Sequence, residues 1–564
     1  MSNRTRCRTY ARPEPATDAQ HPQDQGASRG DRLSPAGSVH ANAHRFPGPM
    51  STPARLASGT ALSLGRMATA IAGQIVTVPV YLSQWDGQTY GIWLILQGML
   101  GYLMLISAAH QQYTYAEILK CGPDARDAVR RVYLASVAVA YLIALAEFGA
   151  ILGLGPKAVA AAMPADAGGL TPAVVIVLVL YSLLNLILMP FGAITAQAIT
   201  IYGHYPRTAA WGLFDTAMIL FAPAVAVALG ANLMTAGLVQ IAAHATVATM
   251  TTIDLVSLAR RHGLIARQQI DWRLGLRNAL WCLPLAGRSL VDSFRQQGFR
   301  ILLGAYAGAT AVTTLTTTRT FANVLQQGLS TITAPLMPEL MRYVINRDQD
   351  RMEGAFAIVW LCLFVLLVPG FLLLCLLSEQ AFAFWTRGAV DFDPLLFLTL
   401  LAVVLVYAAC QPATAILQGQ NRIAWMISIS VVAALALAVI CVLLIPHLGL
   451  RGAGFALLGA ELCAVALTVV GATRALKDSG LAFPYHSFTL VAATVASVFG
   501  LSLLGVFAFG EQGIFIALSF VANALFASLY WATIPTLARG RVWAVLTALR
   551  DSLLGRVRLA LRPK

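Results

Sequence analysis

From about residue 56 onward, apolar runs of some 20 residues recur along the chain, separated by short polar breaks. A helix rises about 1.5 Å per residue, so each run is long enough to cross a hydrocarbon core of roughly 30 Å. Lipid offers no partner for a bare N–H or C=O, so runs of this length are read as helices that satisfy their own backbone. The pattern predicts fourteen spans: 59–83, 90–109, 132–154, 173–200, 209–230, 233–258, 279–306, 310–336, 354–377, 394–417, 424–446, 449–472, 487–509 and 513–536. The expected fold is an all-α polytopic membrane protein. Its longest and most basic internal break, "ARRHGLIARQQIDWRLGLRN" (259–278), lies between spans 6 and 7. This cytoplasmic linker separates two six-helix bundles, 56–258 and 279–472, expected to face each other across a central cavity. Residues 473–564 add two helices and a basic tail. Six-helix repeats keep one orientation because six is even. "LGR" at 64–66 and "AGR" at 286–288 stand at similar depths at the start of the two halves.

Composition agrees with this reading, since 58% of the residues are hydrophobic and 11% charged, against roughly 25% charged in a soluble domain. The net charge of +14 raises nucleic acid as a partner, but the placement of the basic residues answers it. Of the 39 Lys and Arg, Lys157, Arg387 and Arg451 lie on one side of the membrane, and Arg66, Arg288, Arg295, Arg300 and Arg319 lie within spans. All the others fall on the opposite side. This asymmetry is the positive-inside pattern and puts both termini in the cytoplasm. The basicity encodes topology, and no nucleic-acid partner is expected. Residues 1–55, polar, Pro- and Arg-rich and without an apolar core, read as a disordered cytoplasmic tail. Met50, opening "MSTPARLASGTAL", serves equally well as a start. The eight cysteines are scattered singly and no His/Cys grouping has metal-ligand spacing, so neither a metal nor a cofactor is expected. The longest outside loops, 155–172 and 378–393, have no room for a catalytic domain, which weighs against a membrane glycosyltransferase or polymerase.

The chemistry lies in charges that the pattern puts inside the bilayer. "LAGRSLVDSFRQQGFRILLG" (285–304) carries Arg288, Asp292, Arg295 and Arg300. An arginine at the centre of a spanning helix costs roughly 2.5–3.5 kcal/mol on insertion scales, so such residues face protein or water. At 100° per residue, Arg288, Asp292 and Arg295 fall within about 60° of one another, with Gln296 beside them and Arg300 about a third of a turn away. The spans hold five acids, Glu147, Asp215, Asp254, Asp292 and Glu461. Spans 7 and 8, however, hold four arginines and a single aspartate. This surplus predicts a hydrated cavity that attracts anions, with structural ion pairing as the alternative. Guanidinium groups suit phosphate because they stay charged and offer a fork of donors. "TTLTTTRTFANVLQQG" (313–328) surrounds Arg319 with hydroxyls and amides fitted to sugar hydroxyls. Histidine is the side-chain type suited to relaying protons in the physiological range, so His244, with Asp215, Asp254 and Glu147, is a candidate for ion or proton coupling. The aromatic pairs Tyr81/Trp85 and Tyr90/Trp93 suit an interfacial belt or the face of a sugar ring.

"YLSQWDGQTYGIWLILQGMLGYL" (81–103) and "ITAPLMPELMRYVINRDQDRMEG" (332–354) resemble segments of bacterial polysaccharide flippases. These are the O-antigen and exopolysaccharide transporters of the multidrug/oligosaccharidyl-lipid/polysaccharide exporter superfamily, and the resemblance runs over roughly residues 56–480. It implies export of undecaprenyl-diphosphate-linked oligosaccharide repeat units across the inner membrane by alternating access. The implied partners are that glycolipid, membrane lipid, and the polymerase and glycosyltransferases of the same pathway. The substrate-binding residues expected on this basis are Arg66, Arg288, Asp292, Arg295 and Arg319. A lipid II flippase and a cation-coupled multidrug exporter of the same superfamily are the alternatives.

Overall fold

The computed structural model describes residues 52–163, 169–266, 268–333, 336–507, 512–534 and 539–540. The expected N-terminal tail, the alternative start at Met50 and most of the basic C-terminal tail lie outside the described residues. Every regular element among the described residues is helical. In chain order these are α1 (Thr52–Leu82), α2 (Gly87–Leu103), α3 (Leu105–Cys121), α4 (Arg126–Ala162), α5 (Thr171–Ile199), α6 (Tyr205–Ala228), α7 (Leu233–Arg261), α8 (Trp272–Ser293), α9 (Phe299–Thr333), α10 (Leu336–Ile345), α11 (Gln349–Cys362), α12 (Val368–Thr386), α13 (Pro394–Gly419), α14 (Ile423–Leu448), α15 (Leu450–Asp478), α16 (Tyr485–Phe507) and α17 (Gln512–Thr533).

These make about fourteen membrane crossings. Among the described residues, eleven continuous helical stretches are long and apolar enough to cross. One of them, Thr171–Ala228, is broken by a π turn at Thr200–His204, where Gly203 takes φ +86°, so it supplies two crossings. The seventh crossing joins α8, a π turn at Phe294–Gly298 and residues 299–307; Gly308, at φ +85°, separates it from the eighth, 309–333. A side chain at either glycine would force the left-handed region that only glycine enters freely. These two crossings carry the arginines, which explains their lower apolarity. The result is two six-helix sets around a cavity, with α16 and α17 added against the second set.

Three breaks inside crossings show how irregular backbone is accommodated. The second crossing is interrupted at Met104, exposing N–H groups at the start of α3. Glu147 on α4 reaches this point and accepts from the Ser107 N–H at 3.1 Å and its hydroxyl at 2.7 Å. The π turn at Leu363–Leu367 between α11 and α12 leaves the Phe364 carbonyl available, and Asn523 of α17 donates to it at 3.0 Å. The terminal pair is thereby tied to the bundle by a buried polar contact as well as by packing of Tyr530 on Trp360 and Phe364. The third is the π turn at 294–298, which sets the geometry of the site. Beyond the spans, the basic linker ends at Asp271, which caps α8 by accepting from the Leu274 N–H and pairs with Arg131 of α4. Those contacts hold its carboxyl below the usual carboxylate range.

The two sets meet most closely beside the 83–86 turn. Thr313 donates to the Gly87 carbonyl at 2.5 Å, and Trp385 of α12 to the Ile75 carbonyl of α1 at 2.7 Å. At Gly91 the backbones touch: a Cβ there would stand 2.0 Å from the Ala309 carbonyl oxygen. Gly91→Val is therefore expected to cost about 1–3 kcal/mol through overpacking. The measurement is the thermal unfolding of the detergent-solubilised protein; an unchanged transition would rule out this close approach.

Candidate functional site

A cavity of about 540 Å³ lies between the two helix sets. Its polar lining divides sharply by wall. The second set contributes Arg300 and Arg319, together with Gln297, Thr316, Thr320 and Asn323, while the first set contributes the neutral groups Gln74, Thr77, Gln97, Tyr181 and Gln240. No carboxylate lines the cavity among the described residues. Guanidinium groups in a chamber whose described lining has no carboxylate would favour anions, since a surrounding low dielectric screens their field poorly. Arg300 follows the 294–298 π turn directly and lies beside Tyr90. Arg319 stands on the run of threonines, where Thr318 and Thr320 return their hydroxyls to the carbonyls of Thr314 and Thr316.

The end of the cavity nearest the 83–86 turn is closed by aromatics. Tyr81 stacks on Tyr90 with centroids 5.5 Å apart and packs on Trp85 and Trp93 at 5.1 and 5.7 Å. Trp85 donates to the Ala231 carbonyl at 3.0 Å. Tyr81, Tyr90 and Trp93 are each only 4% exposed. Their ring faces are spent on one another, so this cluster acts as a plug and offers no open face to a sugar.

The sequence-predicted substrate residues whose side chains are described separate into three places. Arg319 lines the central cavity. Arg66 is exposed on α1 and donates from Nε to the Thr216 hydroxyl of α6 at 3.0 Å, outside the cavity lining. Arg288 and Asp292 line a second cavity of about 250 Å³ inside the second set, among α8, α13, α14 and α15, together with the buried Glu461. There Arg288 Nε lies 3.5 Å from Asp292, which also accepts from the Ser430 hydroxyl. The Arg295 side chain lies outside the described residues. A regular helix would put Arg288, Asp292 and Arg295 on a single stripe. The π turn beginning at Phe294 interrupts the 100° increment, so the face bearing Arg288 and the face bearing Arg300 serve different chambers.

The coupling candidates divide as well. His244, buried on α7, bonds Asp215 of α6 through Nδ1 at 2.9 Å, and both line a small cavity of about 180 Å³ within the first set. Tyr181 stacks on the His244 ring at 5.6 Å and lines the central cavity, so one side chain touches both His244 and the central chamber. Asp254 is saturated by Arg207 and by Trp211 Nε1 at 2.8 Å, and Glu147 by the break at Met104. Both have clear structural duties. Arg300 was visible in the sequence as a charge but sat off the stripe. Gln74, Gln97 and Gln240 gave no signal, because neutral amides in spans are common helix-to-helix contacts.

No protein-family profile matches the chain, and no curated protein is similar to it in sequence. Solved structures are similar in fold. The lipid II flippase MurJ in an inward closed conformation aligns over 84% of this chain and 98% of its own, with a TM-score of 0.59 and 11% identity. An inward-facing multidrug resistance MATE family transporter of the MOP superfamily aligns over 74% of this chain and 99% of its own, with a TM-score of 0.57 and 11% identity. An outward-facing MATE transporter aligns over 76% and 97%, with a TM-score of 0.50 and 12% identity. The fold is thus that of MATE and MurJ transporters.

The charge of the central cavity is measurable by chemical modification. In a variant lacking the native cysteines, Thr320→Cys is expected to react faster with a negatively charged thiosulfonate than with a positively charged one. Adding Arg319→Gln should erase much of that preference. Equal rates for the two reagents before the arginine is replaced would exclude an anion-attracting chamber.

Proposed function

We propose that the protein is a flippase that moves undecaprenyl-diphosphate-linked oligosaccharide repeat units across the bacterial inner membrane by alternating access, supplying surface polysaccharide. The observation that carries the reading is the acid-free central cavity with Arg300 and Arg319 on one wall. A lipid-linked diphosphate brings about two negative charges next to its hydrocarbon tail, and that headgroup cannot cross hydrocarbon unaided at useful rates. Paired guanidiniums in a hydrated chamber lower that barrier, and the amides and threonines around them suit sugar hydroxyls. The polyprenyl chain stays in lipid at the gap between the helix sets. Arg66, Arg288, Asp292 and Arg295 act around this core: Arg66 at the α1–α6 seam, and Arg288 with Asp292 inside the second set. Positive-inside charge supports cytoplasmic termini. The glycosyltransferases and the polymerase of the pathway are its functional neighbours.

His244 and Asp215 form the coupling site in this reading, because Tyr181, which stacks on His244, also lines the central chamber. Asp254 and Glu147 rank below them, being committed to local contacts. A lipid II flippase is the second reading. It is favoured by the fold likeness to MurJ, which extends over more of this chain than the likeness to the MATE transporter and has the higher TM-score. A multidrug exporter of cationic compounds is disfavoured, since the two arginines would repel its cargo.

In cells lacking their own flippase but carrying the matching glycan genes, the wild-type chain should restore surface polysaccharide. Arg300→Gln and Arg319→Gln should each reduce it about tenfold or more at normal membrane levels, the effect of losing a charge-assisted contact worth roughly 1.5–3 kcal/mol. Full export by both variants would remove the arginines from the mechanism. Restoration of growth in cells depleted of lipid II export, without polysaccharide, would select the second reading. His244→Gln is expected to slow export and flatten its dependence on a transmembrane pH gradient, measured in vesicles; an unaltered gradient response would sink the coupling assignment.

A further inference from the structure

On the side that bears the basic loops, a cavity of about 540 Å³ lies at the edge of the first helix set. The α3–α4 turn, the π turn between α5 and α6, and His262 at the end of α7 line it. There His262 meets His204 of the π turn, Nε2 to Nε2 at 3.1 Å. The ring centroids are 5.3 Å apart, little more than that contact plus the two ring radii, so the nitrogens face each other nearly head-on. Tyr202 stacks on the His262 ring at 4.1 Å and 9° and fixes its plane. Gly203, at φ +86°, lets the residues on either side of it reach the same histidine.

Such a contact works with one proton between the rings and fails with two. In the neutral pair one imidazole donates from Nε2, and the other accepts there while carrying its own proton on Nδ1. A first added proton goes to Nδ1 of the donor, which keeps the bond and makes it charge-assisted. The second has only the accepting Nε2 left, so two N–H groups and two positive charges then face each other. The pair therefore takes up its protons in separate steps, and only the later one breaks it. The surroundings oppose that later step. Burial, and then the Arg126 guanidinium beside it, hold the His262 imidazole below the usual histidine range. Arg260 and Arg261 precede it on α7. Asp254, the carboxylate whose charge reaches His204, is taken up by Arg207 and Trp211. Asp124 is exposed on the α3–α4 turn, and the phenols Tyr202 and Tyr205 complete the titratable lining.

We propose that His204 and His262 form a proton-operated latch at the foot of α6, shut at neutral pH and opened when the side bearing the basic loops turns acid. Opening frees the π turn from the end of α7, with Gly203 as the pivot. The Arg207–Asp254 pair still ties α6 to α7 beyond it, so the movement is confined to the turn. α6 also carries Asp215, so the latch holds the base of the helix that meets His244.

The test is hydrogen exchange of the peptide covering 198–208 in the purified full chain in lipid nanodiscs. The comparison is with His262→Gln, which leaves that peptide unchanged in sequence and can bond His204 in either protonation state. Between about pH 7.5 and about pH 5 the wild-type peptide should lose about tenfold in protection relative to the variant, the effect of one net hydrogen bond. His204→Gln should likewise keep the protection of the α7 end at acid pH. If the variants fail to fold, the imidazole ¹⁵N resonances of the wild-type chain decide: the two rings should titrate in separate steps, the later one below the usual histidine range. Full protection of the wild-type turn at acid pH, an equal loss in both variants, or two independent titrations at the ordinary value overturns the latch. None of these outcomes touches the cavity arginines, so the flippase reading is tested separately.

Discussion

The structure depends on the cost of putting charge and irregular backbone inside a bilayer. Lipid supplies neither counter-ion nor hydrogen bond, so every arginine, break and turn at membrane depth has to find its partner in protein or in water. Each departure from a plain apolar helix follows this constraint. Glu147 answers the break at Met104, Asn523 answers the π turn at Leu363–Leu367, and Arg207 answers Asp254. Arg300 and Arg319 are turned toward the central chamber between the helix sets.

That chamber gains its character from the division of labour between its walls. Charge is on the second set and neutral amides are on the first, while stacked aromatics close the end beside the 83–86 turn. Two smaller chambers lie inside the individual sets, one around Asp215 and His244 and one around Arg288, Asp292 and Glu461. Tyr181 lines the centre and stacks on His244 of the first of these. The arrangement separates the guanidiniums of the central wall from the His244–Asp215 pair and from the Arg288–Asp292 pair.

Much of this was legible in the chain. Apolar run length predicts the crossings, because the thickness of hydrocarbon leaves little freedom in how a run of twenty apolar residues is used. The excess of arginine in crossings seven and eight predicts a positive chamber for the same reason. The sequence did not reveal which arginines share it. Arg288 and Arg295 read as one stripe with Asp292 only if the helix is regular, and the π turn at Phe294–Gly298 leaves no mark that periodicity can detect. Arg66, grouped with them by depth, is held to Thr216 at a seam between α1 and α6. The aromatic pairs near residue 85 read equally as an interfacial belt or a sugar platform, and only their mutual stacking decides. Gln97 and Gln240 are 143 positions apart, and nothing local announces that their amides meet.

The placement of both cavity guanidiniums on a single wall has an electrical consequence. If the second helix set rocks as a body, Arg300 and Arg319 travel with it through whatever part of the membrane voltage falls across the chamber. Moving one elementary charge through a full 100 mV is worth about 2.3 kcal/mol. A dianionic cargo would offset that charge, and voltage would then do less work on the moving wall. Once such a cargo is released, an inside-negative potential would bias the unladen stroke toward the position nearer the cytoplasm.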